Sequence, residues 1–148
     1  MPKIFIGADH RGFEKKNILA SYLKQKGYEI SDLGADSYQS TDDYNDYAIS
    51  VAKAVASEPN SKGILLCGSA HGISIQANRF KNIRAIVGFS KELAEIGRKH
   101  NDANILCLSA DFQEETDLKS ITDAFLNTEF LNEERLIRRN NRLDEEVS

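Results

Sequence analysis

An α/β fold in three layers, with a five-stranded parallel sheet between helices, is what the sequence predicts. Short β-branched or aliphatic runs alternate with stretches whose apolar residues recur at helical spacing, which is the pattern of βαβ units. Capping residues fall where those stretches begin and end. The chain of 148 residues carries no repeat, low-complexity segment or linker, so one domain is expected over 1–148.

Residues 4–6 read as the first strand. The stretch 13–26 follows with Ile18, Leu19, Tyr22 and Leu23 as a helical stripe, and Gly27 closes it as a C-cap. Residues 28–33 form a second, less apolar strand nearer a sheet edge. A polar loop at 36–45 leads to a helix marked by Tyr47, Ala48, Val51, Ala52 and Val55. The third strand is 63–66, with its helix at 72–79. The fourth is 84–89, and Ser90 then caps a helix reaching Lys99. In the fifth strand, 104–109, Cys107 reads as packed core. Leu118, Ile121 and Phe125 give the next helix its apolar face, and a charged C-terminal helix is expected over 133–146.

The net charge of −4 gives no basis for nucleic acid or an anionic membrane as partner. The apolar start is too short for a signal peptide, and no run reaches the length of a membrane span. Cys67 and Cys107 form no CxxC pair, and free thiols fit a reducing cytoplasm. Metal binding is not expected, because the histidines and Cys67 lack ligand spacing. With neither GxGxxG nor a Walker loop, no nucleotide cofactor is expected either.

Sheets of this kind take ligands at the carboxyl ends of their strands. The first strand ends in Gly7-Ala-Asp9-His10-Arg11-Gly12, and the third in Cys67-Gly68-Ser69-Ala70-His71-Gly72. Cys67 stands beside a helix N-terminus, where the macrodipole and free N–H groups favour thiolate. Those N–H groups also suit a phosphate or a developing oxyanion. The plainer reading of Cys67 is a buried structural thiol. Asp9 is either a helix cap or a carboxylate for sugar hydroxyls, and His10 either faces solvent or meets an anionic group. Ser69 is a loop hydroxyl bonded to its own backbone or part of a proton relay. His71 faces solvent or lines the site.

His100-Asn101-Asp-Ala-Asn104 closes a helix, where His and Asn suit the negative end, yet it is dense in chemistry for a turn. Arg135 and Arg139 lie at i, i+4 with Arg142 a turn further, as a solvated stripe or a phosphate clamp.

Six segments, Gly7-Ala-Asp-His-Arg-Gly12, Asp43-Tyr-Asn-Asp-Tyr-Ala48, Cys67-Gly-Ser-Ala-His-Gly72, Ala77-Asn-Arg79, Ile83-Arg-Ala85 and His100-Asn-Asp-Ala-Asn104, together resemble ribose-5-phosphate isomerase type B. That family includes the galactose-6-phosphate isomerase subunits. The resemblance runs from about residue 3 to about residue 142 and implies a Rossmann-like fold without cofactor, working as a homodimer with shared active sites or as a tetramer. It implies Cys67 as the base, assisted by Ser69, and His100 as the ring-opening residue. Substrate contacts would come from Asp9, His10, Asn101, the loop Gly68, Ser69, Ala70, His71 and Gly72, and the phosphate arginines Arg135 and Arg139. The C-terminal helix would pack on a partner subunit.

The chain departs from that pattern at several points. Asp111 stands where the family has a further phosphate arginine, and an acid there repels phosphate unless it points away or pairs with an arginine. Ala70 replaces a usual glycine, His71 an often apolar residue, and Glu133-Glu134-Arg135-Leu136 a Gly-Gly-Arg-His segment. The implied reaction interconverts ribose 5-phosphate and ribulose 5-phosphate through an enediolate. Galactose 6-phosphate or allose 6-phosphate is the alternative substrate. A sugar-phosphate-binding module without turnover and a phosphocysteine carrier are rivals, but neither uses both Cys67 and His100.

Overall fold

The computed structural model describes residues 1–145. The strands are β1 (Ile4–Ala8), β2 (Ile30–Asp32), β3 (Lys62–Cys67), β4 (Ala85–Val87) and β5 (Ile105–Ser109). The helices are α1 (Phe13–Gln25), α2 (Tyr44–Ser57), α3 (His71–Ala77), α4 (Lys91–Asn101), α5 (Glu115–Asn127) and α6 (Glu134–Asn141), followed by a short 3₁₀ turn (Arg142–Asp144). All strand pairs are parallel, in the order β2-β1-β3-β5-β4. Every expected element is present.

The two edge strands are shorter than the sequence reading. Residues of β2 and β4 pair on one side only and are half-buried or exposed, so regular pairing stops early. The charged C-terminal helix ends at Asn141 rather than 146, residue 146 itself lying outside the described residues.

Successive residues of a strand point to opposite faces, and the core divides accordingly. Ile4, Ile6, Ile64, Leu66, Leu106 and Leu108 meet Leu19 and Leu23 of α1, Ala94 of α4 and Phe125 of α5. Phe5, Leu65, Cys67, Ile105 and Cys107 meet Val51 and Val55 of α2 and Ile73 of α3. Each fully buried Leu or Ile contributes roughly 1.5–3 kcal/mol relative to exposure. Cys107 is wholly buried, as its sequence position implied. Ile18, assigned to the buried stripe of α1, lies at its margin and is exposed.

The helices after the neighbouring strands β1 and β3 go to opposite faces, α1 to the first and α3 to the second. A crevice therefore opens between the carboxyl ends of β1 and β3, at the switch point where such sheets hold ligands. Lys16 is buried to 1% exposure, and its Nζ donates to both Asp32 carboxylate oxygens and to the Ala35 carbonyl. This holds the turn after β2, which bonds back to Ala8 at the end of β1.

Candidate active site

Ala8 pairs with Leu66, so Asp9 and Cys67 emerge side by side from adjacent strands. Gly12 lets the two loops approach. A methyl group there would lie 2.7 Å from Leu66 Cβ and 2.9 Å from its carbonyl oxygen. Asp9 is buried, and its Oδ1 accepts from the Arg11 and Gly12 N–H groups at 3.0 and 3.3 Å. Burial pushes its carboxyl up, partly offset by the Gly12 N–H and the His10 side chain. These bonds close the turn ahead of α1 and do not cap the helix, whose N-cap, Gly12, receives no side-chain cap bond.

Cys67 departs from the sequence expectation. N–H groups of Ile73, Ala70 and Ser69 do favour its thiolate, but burial outweighs them and pushes the thiol up. The buried Asp9 carboxylate adds to that rise. Ala70 holds the loop turn at φ 70, a left-handed conformation that costs an alanine more than a glycine. Ser69 Oγ accepts from the His71 N–H at 3.3 Å, which is the backbone-bonded reading of that hydroxyl. His71 opens α3 and is exposed. Gly72 lies under the Tyr44 ring, where a methyl group would meet Cζ at 2.5 Å.

Two partners of this edge went unassigned in the sequence reading. Asp42 Oδ1 accepts from the His10 N–H at 3.0 Å and lies 2.8 Å from His10 Nδ1. Its Oδ2 accepts from the Tyr47 hydroxyl at 2.9 Å, so Tyr47 serves the site rather than only the helix face. The signal available was the density of Asp and Tyr over 42–47, a stretch read as polar loop and helix start. Asp9, His10 and Asp42 present donor atoms within 4.8 Å of one another, a cluster that local spacing does not reveal. Hydrogen bonds from within the chain already engage Asp9 Oδ1 and both Asp42 oxygens. Arg11 is the second, its Nη1 donating to Asp111 Oδ2 at 2.6 Å.

The remaining predicted residues are elsewhere. His100 and Asn101 end α4, which leads into the amino end of β5, and both are exposed. Arg135 and Arg139 are exposed on α6, with Arg135 paired to Glu133. Asn140 of that helix donates to the His100 carbonyl at 3.2 Å. The predicted set therefore divides into a carboxyl-edge group, Asp9, His10 and residues 67–72, and an amino-edge group, His100, Asn101, Arg135 and Arg139.

The chain matches the family model described as Ribose/Galactose Isomerase over residues 4–144. Ribose-5-phosphate isomerase B of Escherichia coli is 41% identical over 130 residues, covering 88% of this chain and 87% of that protein. Probable ribose-5-phosphate isomerase B of Mycoplasma pneumoniae is 39% identical over 127 residues, covering 86% and 84%. The solved ribose 5-phosphate isomerase of Thermotoga maritima has a TM-score of 0.94 at 41% identity, covering 98% of this chain and 99% of that one. Ribose-5-phosphate isomerase B of Mycoplasma genitalium, solved with bound ribulose-5-phosphate, has a TM-score of 0.91 at 36% identity, covering 95% and 93%.

Proposed function

This chain belongs to the ribose/galactose isomerase family, and from that premise we propose that it interconverts ribose 5-phosphate and ribulose 5-phosphate. The observation that carries the reading is the pairing of Ala8 with Leu66, which sets a buried carboxylate and a buried thiol beside one crevice.

The reaction moves one proton between adjacent carbons. Cys67, as thiolate, takes the proton from carbon 2 of the open-chain aldose, and the electron pair shifts to form a cis-enediolate. The thiol then returns the proton to carbon 1 while the carbon 2 oxygen becomes the ketone. Desolvation makes the Cys67 thiolate scarce but a stronger base once formed. N–H groups in the loop 68–72 support the enediolate oxygen, and Ser69 helps to move its proton. Asp9 accepts from sugar hydroxyls, and His10 meets the phosphate. No oxidant or reductant enters this balance.

Ring opening is assigned to His100, with Asn101 on the sugar oxygens and Arg135 and Arg139 on the phosphate. These groups belong to the opposite sheet edge, so the working unit is a homodimer in which each site borrows them from the second copy. The helix α6 then packs on the partner, and two dimers can associate further. A cytoplasmic, sugar-phosphate-metabolising enzyme that engages neither nucleic acid nor membrane fits this scheme. Among the described residues no helix is long and apolar enough to cross a membrane.

Incubation of ribose 5-phosphate in deuterated water tests the reading. Ketose with deuterium at carbon 1 supports it, and absence of both ketose and exchange refutes it. A parallel panel with allose 6-phosphate and galactose 6-phosphate decides the substrate.

A further inference from the structure

His10 and Asp42 lie 32 residues apart yet share two contacts, one to the backbone N–H and one to the ring Nδ1. The Asp42 side chain is only 7% exposed and is also held by the Tyr47 hydroxyl. Burial alone would push the Asp42 carboxyl up, but the hydrogen bonds from His10 and Tyr47 more than offset it, and it lies below the ordinary value. At neutral pH Asp42 is therefore a carboxylate with no hydrogen to give. A contact of 2.8 Å between that oxygen and Nδ1 then requires the hydrogen to be on Nδ1.

We propose that Asp42 is a positioning residue, which commits His10 to carrying hydrogen on Nδ1 and so leaves Nε2 as the atom that faces the ligand. The link to catalysis rests on the functional reading above, whereas the tautomer does not. In the neutral ring, Nε2 accepts from a sugar hydroxyl; in the charged ring, it donates to a phosphate oxygen. Without Asp42 the ring is free to turn or exchange its hydrogen, and either change misplaces that atom. The Tyr38 ring, perpendicular to His10 at 6.2 Å between centroids, completes the ring's setting.

Nitrogen-15 NMR of the ring nitrogens reads the tautomer directly, since the chain has three histidines. At about pH 9, where an unperturbed imidazole is neutral, the native protein is expected to show His10 with hydrogen on Nδ1. In Asp42→Ala the hydrogen moves to Nε2 in a substantial fraction of molecules. The KM for ribose 5-phosphate rises about tenfold, with kcat changed by less than about twofold, as for lost uniform binding. Hydrogen on Nε2 in the native protein overturns the proposal. So does an Asp42→Ala variant whose KM changes while the His10 tautomer does not, because Asp42 would then serve only the loop.

If Asp42→Ala does not fold, Asp42→Asn replaces it. Its amide oxygen still accepts both His10 N–H groups but carries no charge. It should keep hydrogen on Nδ1 and hold KM within about twofold of native, and a rise of about tenfold in KM with hydrogen still on Nδ1 overturns the proposal. A native protein that binds but never isomerises ribose 5-phosphate sinks the functional reading, while the tautomer still decides the role of Asp42.

Discussion

Arg11 and Asp111 meet above Gly68: the guanidinium from the loop after β1 donates to the carboxylate after β5 at 2.6 Å, spanning the intervening end of β3. A methyl group on Gly68 would lie 2.8 Å from both Arg11 Cδ and Asp111 Oδ2. Asp111, where the resemblance implies a phosphate arginine, is thus paired with Arg11 rather than left bare. At 58% and 36% side-chain exposure the pair adds little to stability. Its consequence is local charge at the mouth of the crevice.

Arg11→Ala is expected to leave that carboxylate bare and repel the substrate phosphate. A unit charge about 8 Å from a dianion in a water-like medium costs on the order of 1 kcal/mol, or about fivefold in KM at unchanged kcat. Arg11→Ala/Asp111→Ala should recover most of the loss, and raised salt should shrink it. Asp111→Arg, which adds positive charge, should lower KM. Steady-state kinetics of the three variants checks this, and a rise in KM for Asp111→Arg would show that Asp111 is needed to hold Arg11.

Cys67→Ala should cut isomerisation by about 10²–10⁴, the worth of a general base, while Cys107→Ala retains activity. Because burial raises the Cys67 thiol and the deprotonated form acts, kcat/KM should climb through and beyond the ordinary thiol range. A plateau reached by neutral pH removes Cys67 from the role of base. The same shift has a stability sign. Both thiols are held up in the fold, so stability falls as pH rises above the unfolded thiol value of about 8.5.

Gly12→Ala should destabilise by about 1–3 kcal/mol, as an overpacked contact does. Its obstacle includes the Leu66 carbonyl, which is backbone and cannot swing away. The three atoms nearest a methyl group on Gly72 all belong to the Tyr44 side chain, so Tyr44→Ala should rescue Gly72→Ala, and no corresponding truncation rescues Gly12→Ala. Urea denaturation separates the two cases.

The fold was legible because local signals were strong. Ser90 does cap α4, its Oγ accepting from the Leu93 N–H at 3.1 Å. The apolar runs around Leu65 and Leu106 needed burial on both faces, which a central parallel strand supplies. The chemistry of the site was less legible. Spacing around Cys67 reveals N–H donors but not how far the thiol is desolvated. Asp42 and Arg11 find their partners 32 and 100 residues away, so neither pairing leaves a local trace. Lys16 lies outside the apolar stripe of its helix, and nothing in the local pattern shows that its ammonium is enclosed by Asp32 and Ala35.

Sharing of the active site between two subunits is the prediction with the widest reach. Cys67 pairs with Ser109, the last residue of β5, whereas His100 lies before Ile105, its first residue. A strand of about five residues spans roughly 16 Å, and a ring-opening acid must come within hydrogen-bond reach of the sugar that Cys67 attacks. His100 therefore serves a Cys67 of another copy or does not serve at all. A twofold dimer meets this need reciprocally and forms two equivalent sites. Cys67→Ala and His100→Ala should each be inactive alone. When they are mixed under conditions of subunit exchange, each hybrid has one site carrying both native groups. Activity should return to about half that of the native dimer per hybrid. Hybrids that form, as shown by native mass spectrometry, but remain inactive would mean that His100 is not the acid.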